Sequence, residues 1–315
     1  MTQSTGLSRA DLHVHTRHSR VNGNVPFLRS RDCYSDPFAV YDLAKRRGMQ
    51  IVTFTDHDSI DGCLEFLSRR PDTPDFLMGE EVSCWFPGTP IEVHLGVYGL
   101  TEAIHADLQP LRRNVFEAIA LLQAAGTFFS FNHPFHFFRD QIALDDYLRL
   151  MSVVPAVEVR NGTMLPRHNE LVERLWTRIR GADAPVVAGS DAHTLRRLGR
   201  TWTDAPGATA AAFLDSLRAG HGRAGGNHGG THAVAGDAYG VVARYAASVF
   251  GYGPRDHSGW HRLLCGACVL ASAPVQFLPA AIAWKGKLGE RRAIDKMTGA
   301  TDGGAARAAY ASEPR

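Results

Sequence analysis

The chain has 315 residues, with Lys+Arg 34 against Asp+Glu 32 and a formal net charge of +2. Nothing in that balance demands nucleic acid or an anionic membrane as a partner. The length suits one barrel-sized domain with an appendage, or two ordinary domains. The five cysteines, Cys33, Cys63, Cys84, Cys265 and Cys268, are odd in number and scattered, so free thiols in a reducing cytoplasm are expected rather than a disulfide framework. The opening MTQSTGLSRADLH lacks the apolar core of a secretory signal, and a cytoplasmic location is the expectation.

In chain order, the first strand is predicted over residues 10–16. Ser35-Asp36-Pro37 supplies a cap and a first-turn proline for a helix through Arg47, ended by Gly48. A strand at 50–55 follows, then a short helix capped by Ser59, then strands at 76–83 and 91–98. Residues 111–125 are apolar at helical spacing and stop at Gly126; a strand follows at 127–131 and another at 156–160. A helix over 167–180 stops at Gly181, a strand covers 185–190, and 213–219 closes the regular pattern. Runs such as IVTF and PVVAG are apolar throughout, as strands covered on both faces require, so a parallel sheet wrapped by helices is expected. Ligand-type residues at many different strand ends favour an α/β barrel, TIM-barrel-like, over a doubly wound sheet.

From His221 to Gly236 the glycine-rich composition predicts a loop without regular structure. A phosphate-cradling nest is one reading of it. The absence of a preceding strand and of a following Lys-Ser/Thr favours a flexible connection. The chain is accordingly divided into a domain over 1–235 and a helical extension over 236–315 with a frayed tail. Within the extension, 263–284 carries no charge, but Pro274, Gln276 and Pro279 interrupt it, so a helical hairpin packed on the barrel is favoured over membrane contact. Cys265-Gly-Ala-Cys268 is a lone CxxC, read as core packing rather than zinc or redox chemistry.

The chemistry is carried by imidazoles and carboxylates at strand ends. His13 and His15 alternate on one face in HVH, so both can reach one ion. His57 follows a strand in TDHD, where Asp56 or Asp58 can hold its second nitrogen. Glu81 ends a strand in GEEVS and can bridge two ions; alternation turns Glu80 away. His94 sits in an apolar strand, where a satisfied core histidine is the competing reading. His133 follows a strand in NHP, with His136 as an alternative, and Asp191 and His193 are two apart in GSDAH. Ser190 is explained by that turn rather than as a nucleophile, since no GxSxG elbow is present. Arg160, after a strand end in EVRNG, is read either as a fork donor clamping a substrate phosphate or as a surface arginine.

DLHVHT, TDHD, GEEVS, VHLGVYG, NHP, EVRNG and GSDAH, in that order across roughly residues 10 to 235, resemble the PHP (polymerase and histidinol phosphatase) family. The resemblance implies a distorted seven-stranded (β/α) barrel and a metal-dependent phosphoesterase. It implies that His13, His15, Glu81 and Asp191 surround one divalent ion, that Glu81, His94 and His133 hold a second, and that His57 and His193 contribute to a third. Arg20 stands where several relatives place an acid for the third position, and His18 is offset from it, so two or three ions are expected. Nitrogen-rich donors favour zinc, manganese or iron. Hydrolysis of a small phosphomonoester or phosphodiester by a metal-activated hydroxide follows, with Asp191, Glu81 and His193 at the reacting centre. The alternatives are a nuclease for short oligonucleotides, which the absence of a basic stripe interleaved with aromatics weakens, and a non-catalytic metal-stabilised binding module.

Overall fold

A computed structural model describes residues 6–19, 26–136, 144–253 and 256–302 of the chain. Nine strands form one sheet in the order β7-β6-β5-β4-β3-β2-β1-β8-β9. They are β1 (Leu7–Asp11), β2 (Ile51–Phe54), β3 (Phe76–Trp85), β4 (Glu92–Tyr98), β5 (Phe128–Asn132), β6 (Ala156–Asn161), β7 (Val186–Gly189), β8 (Thr201–Pro206) and β9 (Arg223–Gly226). The helices are α1 (Pro37–Arg46), α2 (Asp61–Arg69), α3 (Glu102–Leu108), α4 (Val115–Ala124), α5 (Leu144–Val153), α6 (Pro166–Arg180), α7 (Ala210–Arg218), α8 (Thr231–Val249), α9 (Gly259–Ala271) and α10 (Leu278–Asp302).

The first seven strands close on themselves, as the barrel expectation requires. The segment that continues β1 meets the end of β7: the Leu12 amide donates to the Ala188 carbonyl at 3.4 Å, and Val14 bridges Ala192 in parallel. Closure depends on Gly189, where a Cβ would lie 2.4 Å from the His13 backbone nitrogen. No side-chain rotation relieves a clash with backbone, so Gly189→Ala is expected to cost about 3 kcal/mol, read as a lowered denaturation midpoint. A variant as stable as the parent would show that the seam is not packed as described.

The parallel-sheet expectation needs correction at β4, which pairs antiparallel with both β3 and β5. The connection over 86–91 is too short for a crossover, and the Phe86 amide closes it on the Ile91 carbonyl at 3.1 Å. This reversal matters for the site: the beginning of β4, not its end, reaches the ligand-bearing rim, and it brings His94 opposite Ser83 and Asn132.

Strands β8 and β9 fall outside the seven expected. In β8, Thr201, Thr203 and Ala205 are buried while Trp202, Asp204 and Pro206 are partly exposed, a weak alternation that reads as loop. β9 lies inside the glycine-rich segment expected to be irregular. Its glycines are tolerated because β9 pairs with β8 and because a Cβ at Gly225 would meet the Trp202 indole at 2.5 Å, so the ring packs where a side chain would have been. The same segment also holds the start of α8, at Thr231. Helices α3 and α5 were likewise not anticipated. The caps around α1 are as expected: Asp36 accepts from the amides of Phe38 and Ala39.

One apolar core lies between β3–β6 and α4–α6, where Trp176, Tyr147 and Phe131 are fully buried, and a second packs α1 and α2 on β2 and the start of β3 around Phe54, Phe66 and Phe76. α10 packs on α8 and α6. It is fastened by polar contacts: the Lys287 ammonium donates to the Thr163 carbonyl at 2.6 Å, and Glu290 accepts from the Leu165 amide at 2.7 Å, the N-cap of α6. The charge-free run at 263–284 is divided between α9 and α10, and no helix among the described residues is long and apolar enough to cross a membrane. Cys33, Cys63, Cys84 and Cys265 are buried free thiols and Cys268 is exposed, so the CxxC pair does not pack as a unit. The expected frayed tail beyond Asp302 and the position of Arg20 lie outside the described residues.

Candidate metal centre

The carboxyl ends of the parallel strands, together with the reversed β4, deliver every sequence-read ligand to one rim. His13 and His15 follow β1, His57 follows β2, Glu81 lies in β3, His94 begins β4, His133 follows β5, and Asp191 and His193 follow β7. The turns that present them are conformationally unusual. Asp58, His133 and Asp191 have φ of +51°, +24° and +51°, in the left-handed region that non-glycine residues avoid, which marks backbone held by its surroundings.

Glu81 is the hub, with 0% exposure. Its Oε2 lies 2.9 Å from His13 Nε2, 3.5 Å from His15 Nε2 and 3.3 Å from His57 Nδ1. Its Oε1 lies 3.2 Å from His94 Nδ1 and 3.0 Å from His133 Nε2. Asp191 Oδ1 completes one side, 3.5 Å from His13 Nε2, 3.4 Å from His15 Nε2 and 3.6 Å from His193 Nδ1. Donor atoms converge in overlapping groups: His13 with His15 and Glu81; His13 with His133 and Asp191; His57 with Glu81 and His94; and His15 with Asp32, His57 and His193.

The last group includes a ligand that the sequence did not reveal. Asp32 Oδ2 is 3.6 Å from His193 Nε2 and 3.9 Å from His57 Nε2. It brings an acid beside His57 and His193 from a stretch without periodicity or motif. Its delivery is tertiary: Arg31 pairs with Asp256 at 2.6 Å and also donates to the Arg17 carbonyl, which fixes the chain one residue before Asp32. His18, the other candidate for that role, is instead paired with Glu65 at 2.6 Å.

A further layer orients these groups. His13 Nδ1 donates to Glu158 at 3.0 Å, which leaves Nε2 to face Glu81 and Asp191. His94 Nε2 is held by Glu92 at 2.9 Å, which turns Nδ1 to Glu81. Asn161 and Thr163 donate to Asp191 Oδ2 at 3.3 and 3.0 Å, reserving Oδ1 for the imidazoles. Glu158 and Asn161 sit in the AVEVRN strand, where a buried acid in an apolar run was the available signal. The expectation for Asp56 and Asp58 is corrected. Asp56 accepts from the Thr16 amide and hydroxyl, and Asp58 accepts from the Ser83 amide and pairs with Arg112, so neither touches His57. Glu80 is turned outward to His105 at 2.7 Å, as alternation predicts. Ser190 donates to Asp11, consistent with a turn residue.

Burial alone would keep these groups uncharged, and the cluster overrides it. Burial opposes charge on Glu81, but His13, His57 and His94 hold its carboxyl well below the usual range. Burial likewise opposes protonation of His13, yet Glu81, Asp191 and Glu158 raise its imidazole well above its ordinary value. His57 is pushed down to about 3, by burial and by the neighbouring His15 and His94. Within this cluster His15 Nε2, His57 Nδ1 and Asp32 Oδ1 are buried without a hydrogen-bond partner. Buried polar atoms left unsatisfied are costly, and groups of three or more N and O donors facing a common point are what divalent transition ions require. The residues present fit such ions.

A cavity of about 500 Å³ opens over the cluster. Its floor is Asp32, His57, Glu81, His94, His133, Asp191 and His193; His136 and Thr163 flank it; Val234, Ala238, Val241 and Val242 of α8 form an apolar wall. No lysine or arginine is among the described residues lining it. Asp237 of α8 also faces the cavity and is latched to the barrel by Arg197 at 3.2 Å and by the Thr194 hydroxyl. Arg160 lies elsewhere: its guanidinium donates to the Gly226 carbonyl at 3.3 Å, on β9, and it is not part of the lining.

The barrel and its gathered imidazoles can be set beside known proteins. A family model described as PHP-associated matches residues 166–221. An uncharacterised protein of Methanocaldococcus jannaschii is 37% identical over 57 residues, 18% of this chain and 33% of that protein. The match thus spans about a third of that relative's length. Among solved structures, a two-domain Bacteroides vulgatus protein described as containing a predicted PHP-like metal-dependent phosphoesterase superposes with a TM-score of 0.50 at 16% identity, covering 71% of this chain and 66% of that one. An amidohydrolase from Chromobacterium violaceum, solved with bound sulfate and no metal, gives a TM-score of 0.45 at 18% identity over 60% of this chain and 89% of that one. The PHP-associated model thus covers the stretch from α6 to the end of α7, and the Bacteroides vulgatus structure shares the fold.

Proposed function

We propose that the chain is a metal-dependent phosphoesterase that hydrolyses a small phosphomonoester or phosphodiester carrying an uncharged, apolar substituent. The observation that carries the hydrolase reading is the bridging geometry of Glu81, whose two oxygens face two separate groups of imidazoles. Bound zinc, manganese or iron would lower the pKa of water and neutralise charge on a phosphoryl oxygen. His13, His15, Glu81 and Asp191 would hold one ion, Glu81, His94 and His133 a second, and Asp32, His57 and His193 a third. Asp191 and His193, in the floor of the cavity, would orient the attacking water and the departing oxygen.

The substituent follows from the wall. Among the described residues of the lining there is no lysine or arginine, so they leave the charge of a phosphoryl group to the ions and offer a polyanion no further partner. This weighs against the oligonucleotide alternative. Val234, Val241 and Val242 instead offer apolar surface, worth about 0.8 kcal/mol per methylene buried. The non-catalytic alternative is disfavoured by an open cavity of substrate size above the donors.

The test is elemental analysis of the purified protein, followed by a panel with the metal found: alkyl and aryl phosphomonoesters, the matching diesters, a mononucleotide and a short RNA. Turnover of apolar esters above the nucleotide and RNA is expected. RNA cleaved best, or no ester turned over by fully loaded protein, would overturn the proposal. Val241→Asn is expected to raise KM for an apolar ester about tenfold with kcat little changed, because it removes binding surface without touching the donors. A fall in kcat with KM unchanged would contradict the assignment of this wall.

A further inference from the structure

A second group of metal-ligating side chains lies away from the barrel rim. His257, His261 and Cys265 each place a donor atom within 4.8 Å of the others. They are four residues apart; His261 and Cys265 share a face of α9, and His257 lies just ahead of the helix start at Gly259. The Nδ1 atoms of His257 and His261 are 3.2 Å apart, and Cys265 Sγ is 3.6 Å from His261 Nε2. With Nε2 held by the Phe27 carbonyl at 2.7 Å, Nδ1 is the nitrogen that His261 can give to an ion, and its 3.2 Å separation from His257 Nδ1 is close to the roughly 3.3 Å between two nitrogens on neighbouring corners of a tetrahedral zinc.

Burial argues the same way. His257 is 3% exposed and Cys265 0%, and the Nε2 of His257 is buried with no hydrogen-bond partner. The surroundings orient the group: His261 Nε2 faces the Phe27 carbonyl at 2.7 Å, and the Tyr245 ring stands edge-on to His257 at 5.7 Å.

We propose that His257, His261 and Cys265 bind one transition-metal ion of the zinc type, with Cys265 as the thiolate, its proton released to solvent, and a fourth position left to water. The site is structural. It sits beside Asp256, whose ion pair with Arg31 at 2.6 Å holds the segment carrying Asp32, and its His261 contacts the same segment through the Phe27 carbonyl. An ion here fixes the start of α9 against the loop that completes the rim cluster.

Cobalt(II) titration of the full chain tests this, because a thiolate–cobalt charge-transfer band in the near ultraviolet cannot arise from the rim cluster, whose donors are nitrogen and oxygen only. The band is expected in the parent and in C268S, and lost in C265S together with one equivalent of bound metal. H257Q, which keeps the thiol, is expected to weaken the cobalt affinity read from the band at least tenfold, and it serves if C265S does not fold. No band in the parent, a band that survives in C265S, or H257Q titrating like the parent would each overturn the assignment.

Discussion

Glu81→Gln is expected to remove the equivalent of two bound ions and to lower kcat/KM about a thousandfold. One carboxylate faces five imidazoles at 2.9–3.5 Å through both its oxygens. An amide keeps the shape but loses the charge and one acceptor, so His94 and His133 retain no anionic donor between them and His13 and His15 retain only Asp191. The loss of roughly 4 kcal/mol of transition-state stabilisation corresponds to that factor. Elemental analysis and steady-state kinetics check it together: parent metal content with less than tenfold loss of activity would show that Glu81 does not bridge.

Asp32→Asn is expected to remove one equivalent and leave the others bound, with an activity loss of at least the roughly 10–100-fold that even an outer partner of a metal ligand commands. The reason is positional. Asp32 stands 3.6 and 3.9 Å from His193 and His57, with one oxygen accepting from Ser19 at 2.9 Å and the other buried without a hydrogen-bond partner. Arg31→Ala, which breaks the pair with Asp256, is expected to mimic it partially, because the ligand remains but its segment loses its anchor. Metal content identical to the parent in Asp32→Asn would remove Asp32 from the centre.

The contrast between Asp32 and His13 shows what the sequence could reveal. Strands β2 to β7 are legible because their runs are largely apolar and buried, and the ligands that cap those runs in short motifs are legible with them; β1 (LSRAD) overlaps the expected 10–16 only at Ala10 and Asp11, because Leu7 is exposed and Arg9 half-buried. Asp32 belongs to no such run; its place is set by Arg31 reaching a residue more than two hundred positions away, a contact with no local signature. The strand β9 was hidden for a related reason, since RAGG has no intrinsic preference for a strand and is held only by pairing with β8. Strand direction was equally opaque at β4, where the apolar pattern is the same for parallel and antiparallel neighbours and only the short connection decides. The wall formed by α8 could not be foreseen either, because a helix that lines a cavity and one that packs on a barrel carry the same valines.

Anomalous diffraction from crystals grown with zinc or manganese tests the central claim most directly. Peaks are expected between Glu81 and each of its two groups of imidazoles, and a third beside Asp32, His57 and His193. A map with the ions absent from this rim, and with His15, His94, His133 and His193 satisfied by one another or by water, would contradict it.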